Sequence, residues 1–344
     1  MKNINIFFSE IVIIFFKRYK MLSFLENMNY DILRIWIEFL ADREILNIAL
    51  LLQKLDILKP LRKIIKIYNT DDYSWTDTDL EDIATLTDLT YLYIKNCEML
   101  SNELMFPISR MSNLKTLKII YDGVTTNESG PNNCGIGLVH TLSNLQRLEL
   151  VTMDNLGEFT IQGICQLSNL QELIIDSCDD ILDGVWAGNF AKLKNLKTLK
   201  LSNISLKNFS FRYIPENLRN ITHLDLSVTD IRTSNLNYPG FGSNIKILKL
   251  SNCPSIDETF LTYYTNLTEL DLSYNKAIVD LSLPVIAGIT FLEKLNLSGT
   301  RITNDGLKLL KYLTNLKELR LYRTSISKDG INLLKTWSNL EFLF

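Results

Sequence analysis

The chain has 344 residues, 46% of them apolar, and its 36 basic and 39 acidic residues leave a net charge of −3. Both signs are interspersed, so there is no clustered basic face of the kind nucleic acid selects, and the run Lys59, Arg62, Lys63, Lys66 reads as a solvated patch. The only two histidines, His140 and His223, stand far apart, which leaves no material for a histidine-built metal site or catalytic dyad; neither an enzyme activity nor a cofactor is expected.

In chain order, residues 4–16 are strongly apolar but carry Glu10, and Lys17, Arg18 and Lys20 follow. The stretch is shorter than the roughly 20 residues a membrane helix needs, and no small-residue cleavage site follows it. Residues 1–20 therefore read as an extension, and no membrane partner is expected. Within residues 21–57, apolar side chains recur at helical spacing at Ile32, Leu33, Trp36, Ile37 and Leu40, and again from Ile45 and Leu46. This predicts a pair or trio of short amphipathic helices, with Asp42 capping the second. Residues 58–88 look like a degenerate first copy of a repeat that becomes regular from Leu89, with Ile65 and Ile67 in a strand and residues 79–86 in a helix.

Over residues 89–344 one phrase recurs ten times in full and an eleventh time in part: an aliphatic residue, two others, leucine or a similar residue, one other, and a third aliphatic. Its copies start at Leu89, Leu114, Leu145, Leu170, Leu196, Ile221, Ile245, Leu267, Leu292, Leu316 and Leu340. A period in the range of about 20–29 residues with this spacing is the mark of a leucine-rich-repeat solenoid. The second and third aliphatics are two apart, so they share one face of a short strand. Stacked copies predict a curved parallel sheet on the concave side, with the return segments as helices on the convex side, an α/β solenoid. Asp305 and Asp329 are the expected helix caps. The longest step contains the polar, turn-rich stretch 123–135, an inserted loop.

The residue before the first aliphatic is asparagine at 113, 144, 169, 195, 220, 244, 266, 315 and 339, with only Asp88 and Phe291 interrupting. An amide at each helix-to-strand corner can bond the unpaired backbone of that turn, which predicts a scaffold ladder. Cys97, Cys178 and Cys253 occupy one place in the repeat, where Thr229, Asn275, Thr300 and Thr324 stand in other copies. Cysteines at equivalent sites of separate repeats read as small buried residues, not as a disulfide set, and imply a reducing, cytoplasmic or nuclear compartment. On these cysteines and the helix openings, the repeats resemble the cysteine-containing subtype of leucine-rich repeats, one that often follows an F-box.

Residues 28–55 resemble such an F-box. Met28-Asn29-Tyr30-Asp31-Ile32-Leu33 is similar to the family opening, although Asn29 replaces its proline; Trp36 to Leu40 matches the end of its first helix, and Leu50 to Leu55 its close, with Leu55 in place of tryptophan. The resemblance implies a substrate receptor of a cullin–RING ubiquitin ligase. Met28, Ile32, Leu33, Trp36, Ile37, Leu40, Ile45 and Leu46 would contact a Skp-type adaptor joined to the cullin complex, and the repeats would hold a protein substrate. A helical cap on the solenoid is the alternative use of the same segment.

Strand residues facing away from the core form the concave surface. The row Lys200, Asp225, Lys249, Asp271 alternates in sign and is expected to pair with itself, and the row from Ser202 to Ser298 is small and flat. Tyr91, Tyr93 and Tyr121 near the start, with Arg147, and Arg320, Tyr322 and Arg323 near the finish are the residue types that anchor protein interfaces. They are the expected substrate contacts.

Overall fold

The structure is a computed structural model that describes residues 64–68, 76–95, 102–121, 133–153, 156–178, 192–206, 219–237, 241–337 and 340–343. The extension 1–20 and the F-box-like segment 21–57 lie outside them.

Among the described residues twelve strands follow one another in a single parallel sheet whose spatial order is the chain order. They are β1 (Ile64–Tyr68), β2 (Tyr91–Lys95), β3 (Thr116–Ile120), β4 (Arg147–Val151), β5 (Glu172–Asp176), β6 (Thr198–Ser202), β7 (His223–Asp225), β8 (Ile247–Lys249), β9 (Glu269–Asp271), β10 (Lys294–Asn296), β11 (Glu318–Arg320) and β12 (Glu341–Leu343). From Leu89 to Leu321 the three aliphatic positions of every phrase are buried. Leu145, Leu148 and Leu150 are fully enclosed, as are Leu267 and Leu272, with Leu270 nearly so. The pairing keeps equivalent leucines side by side: Leu148 sits between Leu117 and Leu173, and Leu248 between Leu224 and Leu270. The core is thus one apolar ladder along the whole array. Ile65 and Ile67 of β1 join it, because β1 pairs with β2 in the register the later repeats use.

Return segments cover the other side of this ladder. Among the described residues the α-helices are α1 (Asp77–Ala84), α2 (Met105–Ser109), α3 (Asn133–Ile136), α4 (Glu158–Ile164), α5 (Thr233–Leu236), α6 (Leu283–Ala287), α7 (Asn304–Leu307) and α8 (Lys328–Leu334). Between them run single turns of 3₁₀-helix such as Thr259–Tyr263 and Lys308–Tyr312. The expected helix after Ile302 is therefore a short α-turn that tightens into 3₁₀. Its cap also departs from expectation. Thr303 and Ser327, not the aspartates, are the N-caps, each accepting a hydrogen bond from the N–H of Asp305 or Asp329. Those aspartates sit in the first turn, where a negative charge faces the positive helix end, and Asp305 also holds Lys308 at 2.7 Å.

Seven asparagines of the row do what an amide at that corner can do; among the described members Asn244 does not. Asn113, Asn144, Asn169, Asn195, Asn220, Asn266 and Asn315 each donate Nδ2–H to a carbonyl in the preceding repeat, at 2.6–2.9 Å. In every case the acceptor is the residue just before that repeat's own position in the row, such as Ser112 for Asn144 and Ser143 for Asn169.

The cysteine position is a second ladder. At the end of the strand the last carbonyls lose their regular partners, and a small buried donor satisfies them. Cys253 Sγ–H reaches Leu226 O at 3.1 Å, Cys178 reaches Leu150 O at 3.6 Å, and Asn275 donates to Leu250 O and Leu272 O at 2.7 and 2.9 Å. Thr229, Thr300 and Thr324 close on their own repeat's carbonyl at 2.6–2.7 Å. Cysteine, asparagine and threonine are small and carry a donor; Met153 and Ile204 hold the same position in two other repeats, buried but without one. Cys165, Cys178 and Cys253 are buried thiols outside any disulfide.

One column was invisible in the sequence. Thr152, Ser177, Asn203, Val228, Asn252, Tyr274, Gly299 and Arg323 all have left-handed backbone, with φ between 52° and 68°. Each lies seven residues after the start of its phrase, one to three residues beyond the end of its strand. The fold demands this conformation in eight successive repeats, whatever side chain the chain supplies.

Candidate protein interface

Outward-facing strand residues make three columns on the concave side. The middle one runs Tyr93, Lys118, Glu149, Ile174, Lys200, Asp225, Lys249, Asp271, Asn296, Arg320, each paired in register with the next.

At the N-terminal third these residues form a linked network. Lys118 Nζ lies 5.3 Å from the centre of the Tyr93 ring and 2.6 Å from Glu149. Glu149, only 8% exposed, also receives Arg147 at 3.1 Å, and Arg147 binds Glu172 through its other arm. Burial opposes the Arg147 charge, but the hydrogen bonds and charges of Glu149 and Glu172 outweigh it and raise the guanidinium pKa. Beside this network lie Ile120, Val151 and Ile174, apolar and half-exposed on the outward face. Ile120 and Val151 are partners in the register, at the column that is serine in later repeats. An apolar centre with fixed charges around it is the anatomy of a protein interface. Sequence reasoning passed over Ile120 and Val151; their signal is the change from serine to a β-branched aliphatic at one repeat position.

Tyr91 and Tyr93 stand half-exposed on this surface as expected. Tyr121 does not. It is 5% exposed and belongs to the core. It lies two residues after Ile119 and so falls on the inward face, and it is not among the left-handed residues that turn the chain away at this place in later repeats. At the other end Arg320 is exposed but held by Glu318 at 2.5 Å. Tyr322 is half-exposed, and the Arg323 guanidinium sits over its ring at 5.3 Å.

The alternating row pairs differently from expectation. Lys200 binds Asp176 at 2.6 Å and Lys249 binds Glu269 at 3.3 Å. Asp225 and Asp271 instead accept hydrogen bonds from the backbone N–H of Ser227 and Ser273, at 3.0 and 2.9 Å. An aspartate at a strand end can reach the backbone two residues on, and that local bond competes with the lysine across the sheet. The serines are as flat as expected: Ser202, Ser273 and Ser298 are buried, and Ser273 Oγ–H donates to Ser251 Oγ at 2.8 Å.

The adaptor contacts Met28, Ile32, Leu33, Trp36, Ile37, Leu40, Ile45 and Leu46 all lie outside the described residues. Among the described residues no helix is long and apolar enough to cross a membrane.

No family model matches the chain, and no curated protein does. Among solved structures it is similar to an internalin (InlF) of Listeria monocytogenes, at 18% identity and a TM-score of 0.51, over 88% of this chain and 94% of that one. It is also similar to a chain of the Rad7 and Elc1 complex in yeast, at 16% identity and a TM-score of 0.52, over 100% of this chain and 97% of that one. At such identities the likeness is one of fold, and the fold is the leucine-rich-repeat solenoid.

Proposed function

We propose that this chain is a protein-binding adaptor of the substrate-receptor type. Its repeats hold a protein on the concave sheet, and its F-box-like segment, residues 28–55, binds a Skp-type adaptor and through it a cullin–RING ubiquitin ligase. The observation that carries the reading is the network from Tyr93 to Glu172 beside Ile120, Val151 and Ile174. It offers apolar area with charges already held in place, so less side-chain entropy is lost when a partner docks. One neighbour of the same fold, matched over nearly its whole length, was solved as the Rad7 and Elc1 complex, which supports a solenoid of this kind working beside a second protein. In this reading the chain performs no chemistry. It raises the local concentration of substrate lysines near the conjugating enzyme, in a reducing compartment that suits its buried thiols.

The test is co-purification of the full chain with a Skp-type adaptor, repeated with Leu33→Asp and Trp36→Asp. Adaptor capture by the parent and its loss in both variants, with the circular dichroism of the repeats unchanged, is the expected result. A folded full chain that captures no adaptor rejects the ligase link and leaves a repeat scaffold that binds a protein through the same concave surface.

A further inference from the structure

We infer that the helix-to-strand edge of repeats five to nine is a second interaction surface, separate from the concave sheet, and that it receives an acidic protein segment anchored by one apolar side chain. Three observations meet there.

The first is charge. Lys192, Lys194, Lys197, Arg219 and Lys246 are all exposed. Stacking brings them together: Asn220 binds the Lys194 carbonyl, Thr222 N–H donates to Lys197 O, and Lys246 N–H donates to Thr222 O. Among the described residues none of the five forms an ion pair, although nine ion pairs are formed elsewhere. Lys197 has a neutral partner, the Gln171 side-chain oxygen at 3.3 Å. In a chain of net charge −3 an uncompensated positive edge attracts a negative partner.

The second is shape. A groove of about 820 Å³ runs along this edge from Arg219 and Lys246 past Thr268 to Phe291 and Asn315. Its far end carries Glu293, which Lys317 neutralises at 2.6 Å. The groove is therefore basic at one end and near neutral at the other.

The third is Phe291. It takes the place in the asparagine row where neighbouring Asn266 and Asn315 brace the corner. A phenylalanine cannot make that bond, and Phe291, 57% exposed, lines the groove. The scaffold gives up a hydrogen bond at one corner and gains an apolar contact there. Carboxylates of the partner would meet the basic end, and its apolar side chain would lie on Phe291, two repeats beyond their last contact at Lys246. A single-stranded nucleic acid would use the charge but also stacks its bases on successive rings, and among the described residues the groove is lined by one, Phe291.

Fluorescence anisotropy of the full chain tests this with three labelled probes of equal length: an alternating Glu/Asp peptide with one central leucine, the same peptide with alanine there, and oligouridylate. The leucine peptide should bind about tenfold more tightly than the alanine peptide. Arg219→Glu with Lys246→Glu should weaken it by tenfold or more. Phe291→Asn should erase the preference for leucine while the melting temperature holds or rises, because the asparagine completes the ladder. Equal affinity for the two peptides, full affinity after charge reversal, or oligouridylate binding more tightly than either peptide with no effect of Phe291→Asn would each overturn the inference. None of these readouts depends on the Skp-type adaptor.

Discussion

A left-handed residue after each of the strands β4 to β11 lets the chain leave the sheet on the same path in eight repeats, and the cost of that turn depends on its side chain. Glycine has no Cβ to clash, and asparagine tolerates the region; a β-branched residue is the worst choice. Val228 is such a residue, and Asn203 and Asn252 hold the same place in the repeats on either side. Its N–H bond to Ser251 O, at 2.7 Å, is made by the backbone and survives substitution. Val228→Asn should therefore stabilise the protein by about 1 kcal/mol, seen as a higher urea midpoint; an unchanged or lower midpoint contradicts the strain argument. Gly299 is the reverse case, since a Cβ there would also lie 2.6 Å from the Tyr274 ring. This column was illegible in the sequence, because threonine, serine, valine, tyrosine and arginine share no chemistry. Only the backbone reveals what they have in common.

Burial at a single thiol also gives a pH dependence. Desolvation pushes the Cys165 thiol from 9.0 up to about 12, against the smaller opposing effect of Lys192. The folded state then holds its proton where the unfolded state loses it. Stability from this group is complete below about pH 9 and falls by about 1.4 kcal/mol per pH unit as pH rises towards 12. Cys253 is raised by burial as well, so Cys165→Ala should make the alkaline loss shallower without removing it. Urea titrations of parent and variant at pH 8 and pH 10.5 measure the difference, and parallel losses would show that another group sets the slope.

At the scale of the element, the asparagine ladder was the most legible feature, because only an amide of that length joins two corners. Each bond is a polar contact at an exposed turn, worth about 1 kcal/mol. Asn266→Ala removes the 2.7 Å bond to Ser243 O and should lower the thermal midpoint by a few degrees while the circular dichroism spectrum keeps its shape; an unaltered midpoint would argue against a bracing role. Other elements depart from the sequence pattern by small offsets. The helix caps lie two residues before the aspartates, since a threonine or serine hydroxyl with extended backbone accepts from the second residue of the turn. Tyr121 shares a residue type with the concave-face Tyr91 and Tyr93, yet its spacing from Leu117 and Ile119 puts it inside. The charged row looks like a line of equal partners, but aspartates at strand ends prefer their own backbone. Local geometry overrides pattern in all three cases.

For the molecule as a whole, period and phase were enough to predict the sheet and, up to β11, its register and its apolar ladder, because each repeat meets only its neighbours and repeats the same solution; at β12 Leu319 pairs with Phe342, one residue before the Leu343 that a phrase starting at Leu340 predicts. The basic edge was not legible. Its residues are scattered from Lys192 to Lys246 in a chain whose charges look evenly mixed, and only stacking collects them. The same one-dimensional order governs how the array fails. Leu224 is enclosed in repeat six between Leu199 and Leu248, and Leu224→Ala should cost about 2–5 kcal/mol. In a compact domain that loss would be shared by every amide. In a solenoid the energy is held in each repeat and its interfaces with its neighbours, so the loss should be local. Hydrogen exchange should show protection falling in β6, β7 and β8 while β3 and β10 keep theirs. An equal fall across all strands would mean that the array unfolds as one unit, and that a partner gripping the first repeats would brace the last ones equally. A local fall would mean that the Tyr93–Glu172 network and the Phe291 edge sit on separately stable parts of one scaffold, each able to hold its own partner.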